Sequence, residues 1–259
     1  MMKISEIKQL FSTLNSPDEI PLEILNDERV GVQKEIRRFR NVYEKKVALQ
    51  QRHEKMLMFE QLKRCEGYRY IAGIDEVGRG PLAGPVVAAC VVMKEDSHLL
   101  EVNDSKKLSL EKRDTLYDLI LSQALDYGIG VVSCETIDDI NIYEATKVAM
   151  QQAIDQMTVK PDYLLIDAMK LNNSIPQENL IKGDAKSYSI ACASIVAKVT
   201  RDRMMADYDK QYPGYAFAEN AGYGTKKHLE GLSKLGITPI HRKTFEPIKS
   251  MLQNKNGDV

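Results

Sequence analysis

The apolar positions of this chain follow two kinds of pattern, and the change between them falls near residue 69. Upstream, Ser16-Pro17 and Pro21 mark a turn region with short helical patterns on either side. From Gly31 onward, Val32, Ile36, Phe39, Tyr43 and Val47 recur at spacings of three and four. That stripe predicts one long amphipathic helix reaching to about Lys63. Downstream the apolar runs shorten and become continuous. Tyr70-Ile71-Ala72-Gly73-Ile74-Asp75 and Val86-Val87-Ala88-Ala89-Cys90-Val91-Val92 have strand length. Ser109 followed by Glu111 reads as a helix start, with the helix running to about Leu125. Gly128-Ile129-Gly130-Val131-Val132 reads as a third strand. Three strands with little helix among them predict an antiparallel run.

Helix and strand then alternate. A helix is expected from Ile142 to Met157, a buried strand at Tyr163-Leu164-Leu165-Ile166 and a short one at Asn179-Leu180-Ile181. A long helix follows from Ser187 to about Tyr212, ended by Pro213-Gly214, and another from Thr225 to about Leu235, stopped by Gly236 and Pro239. Such alternation indicates parallel strands with crossover helices. The expected architecture is α/β: a mixed sheet flanked by helices over residues 69–259, preceded by a helical N-terminal extension over residues 1–68. The polar end, Gln253 to Val259, reads as frayed.

With 259 residues, 43% of them hydrophobic, the chain can bury one sizeable core and a smaller appendage. A net charge of −1 gives no argument for nucleic acid, so any such signal must be local. Residues 31–70 hold eleven Lys/Arg against five Glu. They read either as a solvated helix face or as a basic arm on nucleic acid phosphates, and no glycine-serine linker sets them apart. Cys65, Cys90, Cys134 and Cys192 are scattered, with no C-x-x-C pair to indicate a zinc ribbon or redox motif. Reduced thiols, a start without a signal-peptide run and the lack of any membrane-length apolar run predict a cytoplasmic protein.

Candidate chemistry centres on acids at strand ends. Asp75 and Glu76 close the first apolar strand, Asp167 closes Tyr163-Leu164-Leu165-Ile166, and Asp184 follows Leu180-Ile181-Lys182-Gly183. Strand interiors cannot solvate charge, so such acids collect at the carboxyl edge. If the strands are neighbours, the carboxylates repel one another unless hard divalent cations sit among them. Two ions about 4 Å apart would serve phosphoryl displacement. Successive strand residues face opposite ways, so Asp75 and Glu76 share a site only if the strand ends or bulges there. Gly78 and Gly80 give the freedom for that. Strand-end aspartates also serve as turn formers and helix caps, and Asp167 and Asp184 stand open to that reading. Gly78-Arg79-Gly80-Pro81-Leu82-Ala83-Gly84 has neither the dinucleotide spacing nor a following helix, which argues against a nucleotide cofactor.

Taken together these segments resemble ribonuclease HII, the bacterial type 2 ribonuclease H. The resemblance runs through Gly73-Ile74-Asp75-Glu76-Val77-Gly78-Arg79-Gly80-Pro81, Asn103-Asp104-Ser105-Lys106-Lys107-Leu108, Leu165-Ile166-Asp167 and Lys182-Gly183-Asp184. It continues through Ala193 to Asp202, Gly222-Tyr223-Gly224-Thr225 and His241-Arg242-Lys243-Thr244-Phe245, spanning residues 70–248 in one order. It implies a ribonuclease H-like fold with a mixed five-stranded sheet. It implies endonucleolytic cleavage of RNA in RNA–DNA hybrids and incision 5′ to single ribonucleotides in duplex DNA, leaving 5′-phosphate and 3′-hydroxyl ends. The family's four acids, catalytic and metal-holding, map onto Asp75, Glu76, Asp167 and Asp184, and two Mg²⁺ or Mn²⁺ ions are the implied cofactors. Its junction-reading loop maps onto Gly78, Arg79 and Gly80, and its sugar-stacking tyrosine onto Tyr223. The sister type HIII carries a sheet-containing N-terminal domain, which residues 1–68 do not resemble, and nothing of the family's function is carried onto them.

Lys106, Lys186 and Lys198 are the basic residues expected to contact nucleic acid, with Lys107, Lys182, Arg201, Lys226 and Lys227 as further candidates for the duplex backbone. Each also reads as a solvated surface charge. Arg79 reads as a phosphate clamp or as an ion pair to the acids, and Tyr223 as a stacking residue or a half-buried core tyrosine. His241, beside Arg242, reads as a phosphate contact or a surface residue. The partners expected are RNA–DNA hybrid and ribonucleotide-containing duplex, with no membrane and a monomeric enzyme. No sliding-clamp peptide stands out in the polar tail. Competing readings are another nuclease of this fold, a non-catalytic hybrid-binding protein, which predicts a replaced acid, and a calcium-binding domain, for which EF-hand spacing is missing.

Overall fold

The computed structural model describes residues 2–256, with side chains to residue 253. The chain divides into two compact units, Met1–Lys55 and Met56–Val259. In the first, helix α1 (Ile4–Phe11), the short α2 (Leu22–Leu25) and most of α3 (Val30–Met56) enclose a small core. Glu6 reaches back to accept a hydrogen bond from the Lys3 amide at 2.7 Å, closing the first turn of α1. Ile7, Phe11, Ile20, Ile24, Val32 and Ile36 are buried together, and Phe39 stacks on Phe11 at 5.0 Å. The single helix expected from Gly31 to Lys63 is two: α3 stops at Met56 and α4 (Met58–Cys65) starts after Leu57. Helix-forming residues continue across the break, so spacing alone does not mark it.

The second unit is built on five strands: β1 (Ile71–Val77), β2 (Val86–Met93), β3 (Ala124–Val132), β4 (Tyr163–Asp167) and β5 (Gln177–Leu180). Their order is β3-β2-β1-β4-β5. β1, β2 and β3 pair antiparallel, and β1–β4 and β4–β5 pair parallel. Helix α5 (Leu110–Gln123) separates β2 from β3, and α6 (Cys134–Ile140) and α7 (Ile142–Gln156) follow β3. After β5 come α8 (Tyr188–Gln211), α9 (Phe217–Asn220), α10 (Lys226–Leu235) and α11 (Ile248–Asn256). Helices α6, α9 and α11 are not foreseen from the sequence. Residues 253–256 of the tail expected to fray lie in α11, while 257–259 fall outside the described residues.

Strand alternation gives each sheet face its own core. Ala72, Ile74, Val86, Ala88, Cys90, Leu164 and Ile166 pack against Ala145, Ala149, Met150, Ala153 and Ile154 of α7. On the other face Ala89, Val91 and Met93 meet Leu116 and Ile120 of α5 and the buried length of α8, including Cys192, Ile195 and Val196. Gly73 lets α8 cross close over β1: a Cβ there would collide with the backbone of Ser189 and Ile190. Ser187 caps α8 by accepting from the Ile190 amide, and Glu60 of α4 binds beneath it. Glu60 Oε1 accepts from Ser187 Oγ at 2.6 Å, Ser189 Oγ at 2.6 Å and the Ser189 amide at 2.9 Å. The start of α8 is thereby anchored where it crosses Gly73 of β1. No described helix is long and apolar enough to cross a membrane.

Candidate active site

Asp75, Glu76, Asp167 and Asp184 line one cavity of about 310 Å³ with Val77, Ser105, Lys106, Ser194, Lys198 and Tyr223. β1 and β4 run parallel and paired from Ile71 to Ile74, so their carboxyl ends lie side by side. Contrary to the sequence reading, β1 neither ends nor bulges between Asp75 and Glu76. It continues to Val77 in regular register with β2, Asp75 opposite Ala89 and Glu76 opposite Ala88. Its pairing with β4 stops at Ile74, and past that point both acids reach the cavity.

Asp75 is buried. Its Oδ1 accepts from the Glu76 amide at 2.7 Å, and the Ser194 hydroxyl beside it favours the charged form. Burial, then the charges of Glu76 and Asp167, push its carboxyl well above the usual range despite those groups. Burial likewise raises Glu76, against the pull of Arg79, whose Nη1 lies 3.5 Å from Glu76 Oε1. The other oxygen, Oε2, is buried without a hydrogen-bond partner. Asp167 Oδ1 accepts from the Gly183 amide at 2.7 Å, tying the end of β4 to the turn that carries Asp184. Asp184 sits in the 3-10 turn Gly183–Ala185. The cap of the following helix belongs to Ser187, which removes capping of α8 as the role of Asp184. Burial and the charges of Asp104 and Asp167 raise the Asp184 carboxyl, with Lys106 opposing.

Among the described residues, no three acidic, histidine or cysteine side chains form a ready-made metal group. The donor chemistry nonetheless fits a hard divalent cation. All four groups are carboxylates, three are driven toward the neutral form by burial among like charges, and one buried oxygen lacks a partner. These are the conditions that a cation at this edge would relieve.

The loop after β1 is held by two buried arginines. Arg242 donates to the carbonyls of Arg79 (2.9 Å), Gly78 (2.5 Å) and Gly84 (2.8 Å). Arg201 donates to those of Pro85 (2.8 Å), Ala83 (3.1 Å) and Ala221 (2.8 Å). Gly78 has φ 97°, and a Cβ on it would run into Arg201 Nε. Arg201, a sequence candidate for phosphate contact, is therefore spent on backbone carbonyls, and His241 is equally buried. Tyr223 is half-exposed at the cavity, and a Cβ on Gly80 would lie 3.5 Å from its ring. Arg79 is exposed with its side chain on Glu76.

Of the lysines, Lys106 and Lys198 line the cavity, and Lys198 Nζ bonds Asp202 at 2.7 Å. Lys186 is exposed on the turn after Asp184 and does not line the cavity. Ser105 and Ser194, hydrogen-bonded to each other at 3.0 Å, also line it and were not singled out from the sequence. Serines of this kind give no signal until the fold places them against Asp75.

Comparison with known proteins gives the family. The family model for ribonuclease HII matches residues 72–248, and that for the ribonuclease HII N-terminal domain matches residues 3–64. The ribonuclease H2 of Pyrococcus horikoshii OT3 is similar at 26% identity with a TM-score of 0.64, over 73% of this chain and 100% of that one. The Archaeoglobus fulgidus ribonuclease HII, solved with PCNA, is similar at 26% identity with a TM-score of 0.59, over 69% and 96%. The fold is shared with Bst ribonuclease HIII in complex with Mn²⁺, at 18% identity and a TM-score of 0.52 over 71% and 70%. The chain belongs to the ribonuclease HII family, endoribonucleases with ribonuclease H activity on RNA–DNA hybrids.

Proposed function

We propose that this ribonuclease H incises on the 5′ side of ribonucleotides, including single ones embedded in duplex DNA, and leaves 5′-phosphate and 3′-hydroxyl ends. The observation that carries the proposal is the meeting of Asp75, Glu76, Asp167 and Asp184 with Tyr223 on one cavity. The four carboxylates would hold two divalent ions, Mg²⁺ or Mn²⁺; the related HIII enzyme crystallised with Mn²⁺ supports the choice. Bound there, such ions supply Lewis acidity to the attacking water and to the leaving 3′-oxygen.

The remaining roles belong to the chain itself. Telling RNA from DNA requires contact with the 2′-hydroxyl. Gly80 presents no side chain to Tyr223, and the backbone of Gly78 and Arg79 is pinned by Arg242. Two of its carbonyls are already taken, so the remaining backbone groups of the loop meet the hydroxyl. Tyr223 stacks on the adjoining deoxyribose, where a second 2′-hydroxyl would collide. Arg79, freed from Glu76 when that carboxylate binds a cation, clamps a phosphate. Lys106 and Lys198 neutralise the scissile strand at the cavity, and Lys186 the backbone beside it.

The test is cleavage of a labelled DNA duplex containing one ribonucleotide, with Mg²⁺ or Mn²⁺, beside an all-DNA duplex and Asp75→Asn protein. A single cut 5′ to the ribonucleotide, missing from both controls, is expected. Cleavage of a continuous hybrid but not of this duplex would remove the junction-reading roles of Gly78, Arg79, Gly80 and Tyr223.

A further inference from the structure

His228 in α10 and His241 after it are fully buried among Tyr215 and Phe217, away from the four acids. Their Nε2 atoms are 3.0 Å apart. At one end of the pair, His241 Nδ1 lies 2.8 Å from the Thr238 amide nitrogen and 2.8 Å from its hydroxyl. At the other, His228 Nδ1 lies 2.9 Å from the carbonyl oxygen of Tyr223.

These end groups fix every proton in between. A backbone amide can only donate, so His241 Nδ1 is an acceptor and its proton sits on Nε2. That Nε2–H donates to His228 Nε2. The proton of His228 is then on Nδ1, where it donates to the Tyr223 carbonyl, which can only accept. Two neutral rings satisfy all four contacts in this one arrangement. A charge on His228 would set two N–H groups against each other at 3.0 Å, and a charge on His241 would set its Nδ1–H against the Thr238 amide N–H at 2.8 Å. Burial, and for His241 the neighbouring His228, lowers both pKa values, His241 to about 4, so the neutral pair persists at neutral pH.

We propose that the His228–His241 pair is a positioning element for Tyr223, a directed hydrogen-bond chain from Thr238 that fixes the backbone of the residue stacking at the ribonucleotide junction. It rests on the reading of Tyr223 given above. Other bonds converge on the same short loop. The Tyr223 carbonyl also accepts from Thr225 N at 2.7 Å, and its amide donates to Asn220 O at 2.9 Å. Gly222 O accepts from Leu82 N at 2.8 Å, and Gly84 N donates to Ile240 O at 2.8 Å, joining the junction loop to the segment that carries His241. Among these anchors the histidine chain acts through side chains, so it can be altered without substituting any residue of the loop.

Two measurements test it. In ¹⁵N-histidine-labelled protein near neutral pH, long-range ¹H–¹⁵N correlation spectra should show His228 protonated at Nδ1 and His241 at Nε2. The opposite tautomer in either ring overturns the proposal, and this readout needs no variant to fold. The second is a kinetic cycle on the single-ribonucleotide duplex. His228→Phe keeps an aromatic ring among Tyr215 and Phe217 but loses the donor, and His228→Asn keeps a donor at the Nδ1 position. His228→Phe should lower kcat about 10- to 100-fold, the scale of small misplacements at a reacting centre, with little change in KM. His228→Asn should recover much of that loss. In a Tyr223→Ala background His228→Phe should cost little more, because the two act through one contact. Losses that multiply would overturn the positioning role while leaving Tyr223 in place. A Tyr223→Ala enzyme with unchanged kcat would instead overturn the reading of Tyr223, and the inference with it.

Discussion

Asp75 sits buried beside Glu76 and Asp167, with the Glu76 amide and Ser194 opposing the effect on its charge. Burying carboxylates together is unfavourable until a cation joins them. Without metal, then, Asp75→Asn should stabilise the fold, by about 1–2 kcal/mol or roughly 2–8 °C in a chain of this size. The same change should lower cleavage by roughly 10³-fold or more, as removal of one member of a concerted set does. Millimolar Mg²⁺ or Mn²⁺ should raise the melting temperature of the wild type and leave the variant almost unmoved, since only binding to the folded site shifts the equilibrium. Thermal melts in chelator and in metal read both effects. A variant that melts lower than wild type in chelator would show that the carboxylate is satisfied by the protein alone. The four acids were legible in the sequence because strand-end carboxylates break a hydrophobic run. Their shared reach into one cavity past a regular β1 was not, because it depends on where the pairing of β4 stops.

Between β1 and β2 the chain makes a loop whose carbonyls point at Arg201 and Arg242, both with no solvent exposure. Hydropathy places an arginine outside, and the sequence reading accordingly offered Arg201 as a duplex-backbone contact or a solvated surface charge. What overrides hydropathy is a set of carbonyl acceptors 116 to 164 residues away in sequence, which only the folded chain brings together. The strands and the helices α5, α7, α8 and α10 follow from period and capping signals, whereas this loop is fixed by long-range bonds with no local trace. Arg242 makes its contacts through three nitrogens in a planar fork that lysine cannot reproduce. Arg242→Lys should strand the carbonyls of Gly78 and Gly84 and cost about 3 kcal/mol or more, read as a lower urea midpoint at unchanged slope. Activity on the single-ribonucleotide duplex should fall further than activity on a continuous hybrid, because the loop proposed to read the junction is the one released. An equal fall on both substrates would tie Arg242 to general stability alone.

At the scale of the whole chain the open matter is the first unit. Along α3, Lys34, Arg37, Arg38 and Lys45 are exposed at spacings of three, four and seven, and Lys55 is exposed near the end of the helix. They lie opposite the stripe of Val32, Ile36, Phe39 and Tyr43, and at 1.5 Å per residue they span about 30 Å. A basic face of that length matches the phosphates of a duplex, which is the role we assign to it. α4 belongs to the other compact unit, where Glu60 anchors the start of α8. A cut that removed α4 would therefore damage the catalytic unit and confuse the answer. Substituting Lys34, Arg37, Arg38 and Lys45 by Glu in the full chain avoids this, and a chain beginning at Met56 provides the second arm. Both should still cleave the single-ribonucleotide duplex. Both should bind it more weakly at low salt, with the slope of log affinity against log salt reduced by up to roughly 0.9 for each phosphate no longer neutralised. An unchanged slope in the charge-reversed protein would mean that the basic face is simply solvated, and that duplex binding rests on the lysines around the cavity.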